Sequence, residues 1–281
     1  MFIEPLMQPE SDNSDEILRS EILASYDTIV GTGCMRAINE EAKRIAQARG
    51  DVFLEGERGT GRQLFAHWIH RWSPRHAMPL VAVHCAAMSE TELGIEIFGS
   101  EYSGKFFGTD HPPKSKEGKV EIAGGGTLVI HEIETMPRSL QDELDMYLRA
   151  GPFPRAGTGG QPPARACIIA TSKNLEQDVE EGRFREDLFY RLVASGNRLT
   201  LPPLRNRLED LPALIELFLS RATNRLRTPP RHLSAAALEA LEQYSWPANV
   251  AELEHVITRA VRVASQNEIG AEDLQFPLAN I

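Results

Sequence analysis

Five short apolar runs set the strongest constraint on how this chain folds: Val52 to Leu54, Leu80 to Cys85, Thr127 to Ile130, Ala166 to Thr171 and Arg198 to Leu201. Each is continuous rather than alternating, as in a parallel strand buried on both faces, and the stretches between them have helical spacing. The pattern predicts an α/β fold built on a parallel five-stranded sheet flanked by helices. Leu140, Leu144 and Leu148, behind Pro137 and Ser139, place an apolar stripe on a helix that covers the sheet. From about Pro202 the pattern changes to helices only. Leu211, Leu214, Ile215, Phe218 and Leu219 form one stripe, Ser234 caps a helix carrying Leu238 and Leu241, and Val250, Leu253, Ile257, Ala260 and Val261 form another. The expected division is an acidic, mostly disordered leader over 1–25, with a short helix at 17–25, an α/β core over 26–204 and a small helical domain over 205–281. Residues 99–118 and 152–165, rich in glycine, proline and polar residues, read as long surface loops.

Composition narrows the function classes. The chain has 281 residues, 42% hydrophobic and 25% charged, with a formal charge of −10. That balance argues against nonspecific adhesion to nucleic acid, which needs a basic stripe to displace counterions. Cys34, Cys85 and Cys167 are too scattered for a disulfide framework and lack a C-x-x-C metal spacing, so all three are expected to be buried thiols in a reducing cytoplasm. No run of 18 apolar residues is present and the first residues lack the pattern of a secretory signal, so a cytoplasmic protein without a membrane span is expected.

Two stretches carry chemistry. GERGTGRQ, residues 56–63, follows the first apolar run and precedes a helical stretch from Gln63 to Ile69. Gly56, Gly59 and Gly61 have the spacing of a phosphate-binding loop, in which backbone N–H groups converge on phosphates at a helix N-terminus. Arg62, however, stands where lysine belongs, and Gln63 where serine or threonine would bind magnesium. Arginine is longer and planar and does not act as a compact point charge. Taken alone, the spacing also fits a glycine-rich turn without a ligand. GGGTLVIHEIETMP, residues 124–137, is an apolar strand ending in His131-Glu132, where nucleotide hydrolases place an aspartate for magnesium and a glutamate that orients water. Neutral histidine is a poor ligand for magnesium, so His131 reads as a packed strand-end residue.

The run GERGTGRQLFAHWIHRWSPR, then VAVHCAAM, FGSE, AGGGTLVIHEIETMP, IIATSKNLE, GRFREDLFYRL, LPPLRNRLEDLP and YSWPANVAELEHVI, resembles the central AAA+ domain of bacterial sigma-54-dependent transcription activators over residues 27–276. The resemblance implies an AAA+ P-loop NTPase core with a helical lid, a ring with ATP sites between subunits, and hydrolysis that drives a GAFTGA loop against sigma-54. Carried across residue by residue, it assigns nucleotide contacts to Gly56, Glu57, Gly59, Thr60, Gly61, Arg62, Gln63 and Thr171, the last as first sensor. It assigns the catalytic glutamate to Glu132, and trans fingers to Arg185 and Arg191 in the intact GRFREDLFYRL.

Four cis positions depart from the family pattern: Arg62 for lysine, His84 for the switch asparagine, His131 for the magnesium aspartate and Ala251 for the lid arginine. GKFFGT, residues 104–109, corresponds to GAFTGA, with Phe106 matching its aromatic and Phe107 replacing the sigma-contacting threonine. Phe106 and Phe107 then form a protein-contact loop or a tucked-in, inactive one. The bland reading of the arginines pairs them with local carboxylates such as Glu186 or Asp187. The expected protein is a pseudo-ATPase that holds ATP or ADP weakly or not at all and magnesium poorly. It acts through a protein partner, an active AAA+ activator or sigma-54 RNA polymerase, in a homo- or hetero-oligomeric ring. No helix-turn-helix is evident, so no direct DNA contact is expected of the chain. The alternatives are an active sigma-54 activator, in which Arg62 and His131 have taken over unusual roles, and a purely structural interaction module.

Overall fold

The computed structural model describes residues 33–48, 50–100, 116–151, 164–193 and 196–276. The leader, Phe106 and Phe107, and most of the two long loops therefore lie outside the described residues.

The chain divides into two compact units. The first holds residues 38–206 and 245–252 and is built on five parallel strands: β1 (Val52–Glu55), β2 (Leu80–His84), β3 (Thr127–His131), β4 (Cys167–Ser172) and β5 (Arg198–Thr200). Their order is β2-β3-β4-β1-β5, so the chain crosses from β1 to the edge strand β2, returns through β3 and β4, and passes β1 to end at β5. All five apolar runs form strands within a residue or two of their expected limits. The register places Phe53 beside Ala170 and Val129 beside Ile169, so residues that cannot face water line both sheet faces.

Helices α1 (Gly33–Gln47), α2 (Arg62–Trp72), α3 (Glu90–Phe98), α4 (Lys119–Ile122), α5 (Arg138–Ala150), α6 (Leu175–Glu180) and α7 (Glu186–Val193) accompany the sheet, the first residues of α1 lying in the second unit. On one face Phe53, Leu128, Ile130 and Ile168 share a continuous core with Leu93 and Ile97 of α3, Leu140, Leu144 and Tyr147 of α5, and Leu188 and Leu192 of α7. Of the predicted α5 stripe Leu140 and Leu144 are buried and Leu148 is half-buried, and the Tyr147 hydroxyl accepts the Ala166 N–H at 3.1 Å. The buried face of α5 is nevertheless wider than that stripe, because Gln141, Glu143 and Asp145 are buried too.

The second unit holds, among the described residues, 33–37, 207–244 and 253–276 and contains α8 (Leu211–Leu226), α9 (Ala235–Gln243) and most of α10 (Asn249–Val263). Leu211, Leu214, Ile215 and Phe218 are buried on α8, and Leu253, Ile257, Ala260 and Val261 on α10. Ser234 caps α9 by accepting the Ala237 N–H, burying Leu241 while Leu238 stays exposed. One expectation is corrected here. The unit is not helical throughout, because His232–Leu233 and Glu268–Ile269 form a two-stranded parallel ladder, β6 and β7. Two residues per strand are too few to show a period of two.

The cysteines require a second correction. Cys85 and Cys167 are buried, with burial pushing their thiols up to about 12 and about 11, but Cys34 is exposed. It lies near the start of α1, one residue before the first buried apolar position, Met35.

Candidate nucleotide site

The loop from Gly56 to Gly61 joins β1 to α2 and is anchored at both ends. The Gly56 N–H reaches the Ser172 carbonyl at 3.1 Å, and Thr60 closes the turn by donating its hydroxyl to the Glu57 carbonyl at 2.8 Å. Gly61, at φ 107, is the N-terminal cap of α2 and makes no side-chain cap bond. The N–H groups of Arg62, Gln63 and Leu64 consequently have no acceptor within the helix. A Cβ at Gly61 would meet nothing within 4 Å, so space remains open beside those donors.

Residues 245–252 brace the loop from behind. The Val250 and Ala251 N–H groups reach the Gly59 carbonyl at 3.0 and 3.3 Å, and a Cβ on Gly59 would fall 2.0 Å from the Ala248 carbonyl oxygen. Only glycine fits that approach. Asn249, fully buried, accepts the Leu204 N–H at 2.8 Å and donates to the Arg58 carbonyl at 2.9 Å and to Glu57 Oε2 at 3.2 Å. Glu57 is also gripped by Arg205, at 2.8 and 2.5 Å. The Arg205 guanidinium, helped by Asn249, holds the Glu57 carboxyl down at about 2. Glu57 therefore points into a structural latch. Arg205 and Asn249 fall within two of the quoted motifs, but nothing in their spacing marks them as its members.

At the far side of the loop stand the ends of β2 and β3. His84 and His131 are register partners, and their rings stack with centroids 4.4 Å apart at 20°. His131 is buried, and desolvation, reinforced by His84, His67 and Arg62, pulls it down to about 4, so it is neutral at pH 7. Its Nδ1 lies 3.4 Å from the Thr171 hydroxyl, which also accepts the Glu132 N–H at 3.4 Å, and its Nε2 is buried without a partner. Glu132 is half-buried in a left-handed conformation, φ 55. Arg62 is half-buried with Nη1 unpartnered; burial lowers its pKa, and Glu134 and Glu132 oppose that shift through space. Gln63 is exposed. The loop residues, Arg62, Thr171 and Glu132 thus belong to one unit around the end of the sheet.

The donor set suits phosphate better than a hard cation. Uncapped N–H groups, an open glycine and a guanidinium all favour an anion. Magnesium prefers anionic oxygen in an octahedral shell, whereas position 131 offers a neutral imidazole and position 63 an amide. Among the described residues no group of three or more His, Cys, Asp or Glu side chains is placed to hold a metal ion.

The finger candidates lie apart from this loop, on α7 and just before it. Arg185 donates to Asp187 at 2.9 and 2.6 Å and also pairs with Asp142. Arg191 pairs with Asp145 at 2.7 Å, and Arg149 holds the other oxygen of that carboxylate, also at 2.7 Å. Asp187 is one of the two acids expected from local pairing; Asp142 and Asp145 come from α5.

The model of the sigma-54 interaction domain matches residues 29–196, and that of the AAA+ ATPase lid domain matches 205–280. The chain belongs to the sigma-54 interaction domain family. Like other sigma-54 interaction domains, it carries an AAA+ P-loop core. It is 38% identical over 264 residues to the Nif-specific regulatory protein of Azotobacter vinelandii, covering 92% of the chain and 49% of that protein. It is 35% identical over 270 residues to the DNA-binding transcriptional regulator NtrC of Proteus hauseri (95% and 54%). The chain thus spans about half the length of the curated relatives it matches. Among solved structures, NtrX from Brucella abortus in complex with ADP superposes with a TM-score of 0.79 at 29% identity, over 94% of this chain and 60% of NtrX. Among the described residues no helix of this sigma-54 interaction domain is long and apolar enough to cross a membrane.

Proposed function

We propose that this chain is a hydrolysis-deficient AAA+ module of a transcription regulator, acting through protein contacts rather than through turnover. The observation that carries this reading is the neutral, buried His131 stacked on His84, at the positions where the family resemblance implies a magnesium carboxylate and a switch asparagine. Ala251 supplies no cation where a lid arginine is implied. Metal, switch and lid contacts each stabilise charge that develops on transferring phosphate, and losing them together removes several kcal/mol from the transition state. Purified chain supplied with ATP and magnesium is expected to release no phosphate above the blank. Robust turnover abolished by Glu132→Gln would establish the active-activator reading instead.

Its partner is an active AAA+ activator or sigma-54 RNA polymerase, met in an oligomeric ring. Arg185 and Arg191 are its means of acting on another subunit's phosphate, since a finger needs no cis chemistry. In a verified mixed assembly, Arg185→Ala is expected to lower the active partner's turnover by at least about tenfold. An unchanged rate removes the finger role.

A further inference from the structure

We propose that the loop at Gly56 to Gln63 binds the phosphates of a nucleoside diphosphate without a divalent cation, using the α2 N-terminus, the Arg62 guanidinium and the His131 imidazole in place of lysine and metal. The proposal rests on the hydrolysis-deficient reading and names the ligand state of that same site.

Three observations support it independently. The first turn of α2 keeps uncapped N–H groups beside an open glycine. A guanidinium nitrogen of Arg62, the next residue, is buried and unpartnered. His131, 5% exposed, holds a second unpartnered nitrogen, Nε2, and is close enough to Arg62 for the two to repel through space. Burying two polar nitrogens with no partner costs free energy that a phosphate oxygen would recover. The Glu132 N–H occupies one lone pair of the Thr171 hydroxyl, leaving that hydroxyl's own hydrogen for His131 Nδ1. In the tautomer whose Nδ1 accepts that hydrogen, the imidazole carries its own proton on Nε2, which is then a donor to phosphate.

Charge explains why a cation adds little. Arg62 stands within electrostatic reach of Arg58 as well as of Glu134 and Glu132, so the loop brings fixed positive charge of its own to a phosphate. A magnesium ion arriving with nucleotide would meet a neutral imidazole at 131, the exposed Gln63 amide, and the Arg62 guanidinium in the position of a compact ammonium. It would have to keep most of its water shell. With Ala251 contributing no charge to an outermost phosphate, a third phosphate gains little over a second.

The test is calorimetric titration of the whole chain with ADP, once in EDTA and once in excess magnesium, with phosphate release from ATP measured on the same samples. Affinity in EDTA is expected to equal that in magnesium within about threefold or to exceed it, and Arg62→Ala to weaken it by about tenfold or more. His131→Asp, which restores an anionic oxygen at that position, is expected to make binding magnesium-dependent. Tightening of wild type by tenfold or more on adding magnesium, or no binding in either buffer, overturns the proposal. The wild-type comparison needs no variant, so a misfolded Arg62→Ala does not decide it. Phosphate release would overturn the hydrolysis-deficient reading. Magnesium-dependent binding without release would overturn this inference alone.

Discussion

Asn249→Ala is expected to cost about 3 kcal/mol of stability, a lowering of the melting temperature by roughly 10 °C, from one exposed-looking residue in a Pro-Ala-Asn turn. The side chain is fully buried and makes three hydrogen bonds: it accepts from Leu204 and donates to Glu57 and to the Arg58 carbonyl. Deleting the amide strands the buried Leu204 N–H and leaves Glu57 dependent on Arg205 alone. The backbone adds its own share, because Asn249 sits at φ 58, where alanine costs roughly 1 kcal/mol more than glycine. Asn249→Gly separates the two parts: it keeps the left-handed backbone without strain but loses the amide, so it should recover about a third of the loss. Thermal and urea unfolding of the three proteins decide the matter. A cost below about 1 kcal/mol for Asn249→Ala would mean that the latch contributes little to stability.

Glu143→Leu is expected to act in the opposite direction, raising stability at pH 8 by about 2 kcal/mol, or the melting temperature by about 5 °C. Glu143 is fully buried on α5, and neither carboxylate oxygen has a hydrogen-bond partner. Burial, reinforced by the nearby Glu90 carboxylate, pushes its pKa up from 4.5 to about 7. Below 4.5 the group is protonated in both folded and unfolded chains, and its ionisation has no effect. Between 4.5 and about 7 the unfolded chain releases the proton first, so stability falls as the pH rises; above about 7 the penalty is complete. The gain from leucine should therefore hold from pH 8 to about 7 and shrink as the pH drops from there towards 4.5. A pH-independent gain would assign the effect to packing rather than to charge, and a loss at pH 8 would mean that Glu143 has a compensating partner.

The sheet was legible because a parallel strand buried on both faces leaves an uninterrupted apolar run, and Phe53-Leu54 or Leu128-Val129-Ile130 permit no other placement. The stripe on α5 was legible for the same reason, at a period of four. Glu143 was not, since its place between Leu140 and Leu144 looks like an ordinary polar turn until α3 and the sheet are seen around the helix. The individual departures at 62, 84, 131 and 251 stood in the sequence. What was not legible is that two of them touch: the stacking of His84 on His131 depends on the β2–β3 register, which no local pattern encodes. The latch from Glu57 to Asn249 spans 192 residues of chain, and its members look like generic polar residues until the loop is folded. The β6–β7 ladder is too short to have a period, and Cys34 lies ahead of the first buried position of its helix.

On the proposed finger role, the ion pairs around Arg185 and Arg191 have a consequence for selectivity between neighbours. Because Asp142, Asp187 and Asp145 already neutralise the two guanidiniums, an incoming subunit gains almost nothing by offering another carboxylate; it would merely exchange one monovalent anion for another of equal strength. A polyphosphate, denser in charge and able to take both forks of a guanidinium, is a competitor that can win. In an assembly, the local acids would act as a discriminator: the arginines would stay home beside a vacant neighbour and cross over only to a loaded one, so that the interface itself would report the neighbour's nucleotide state.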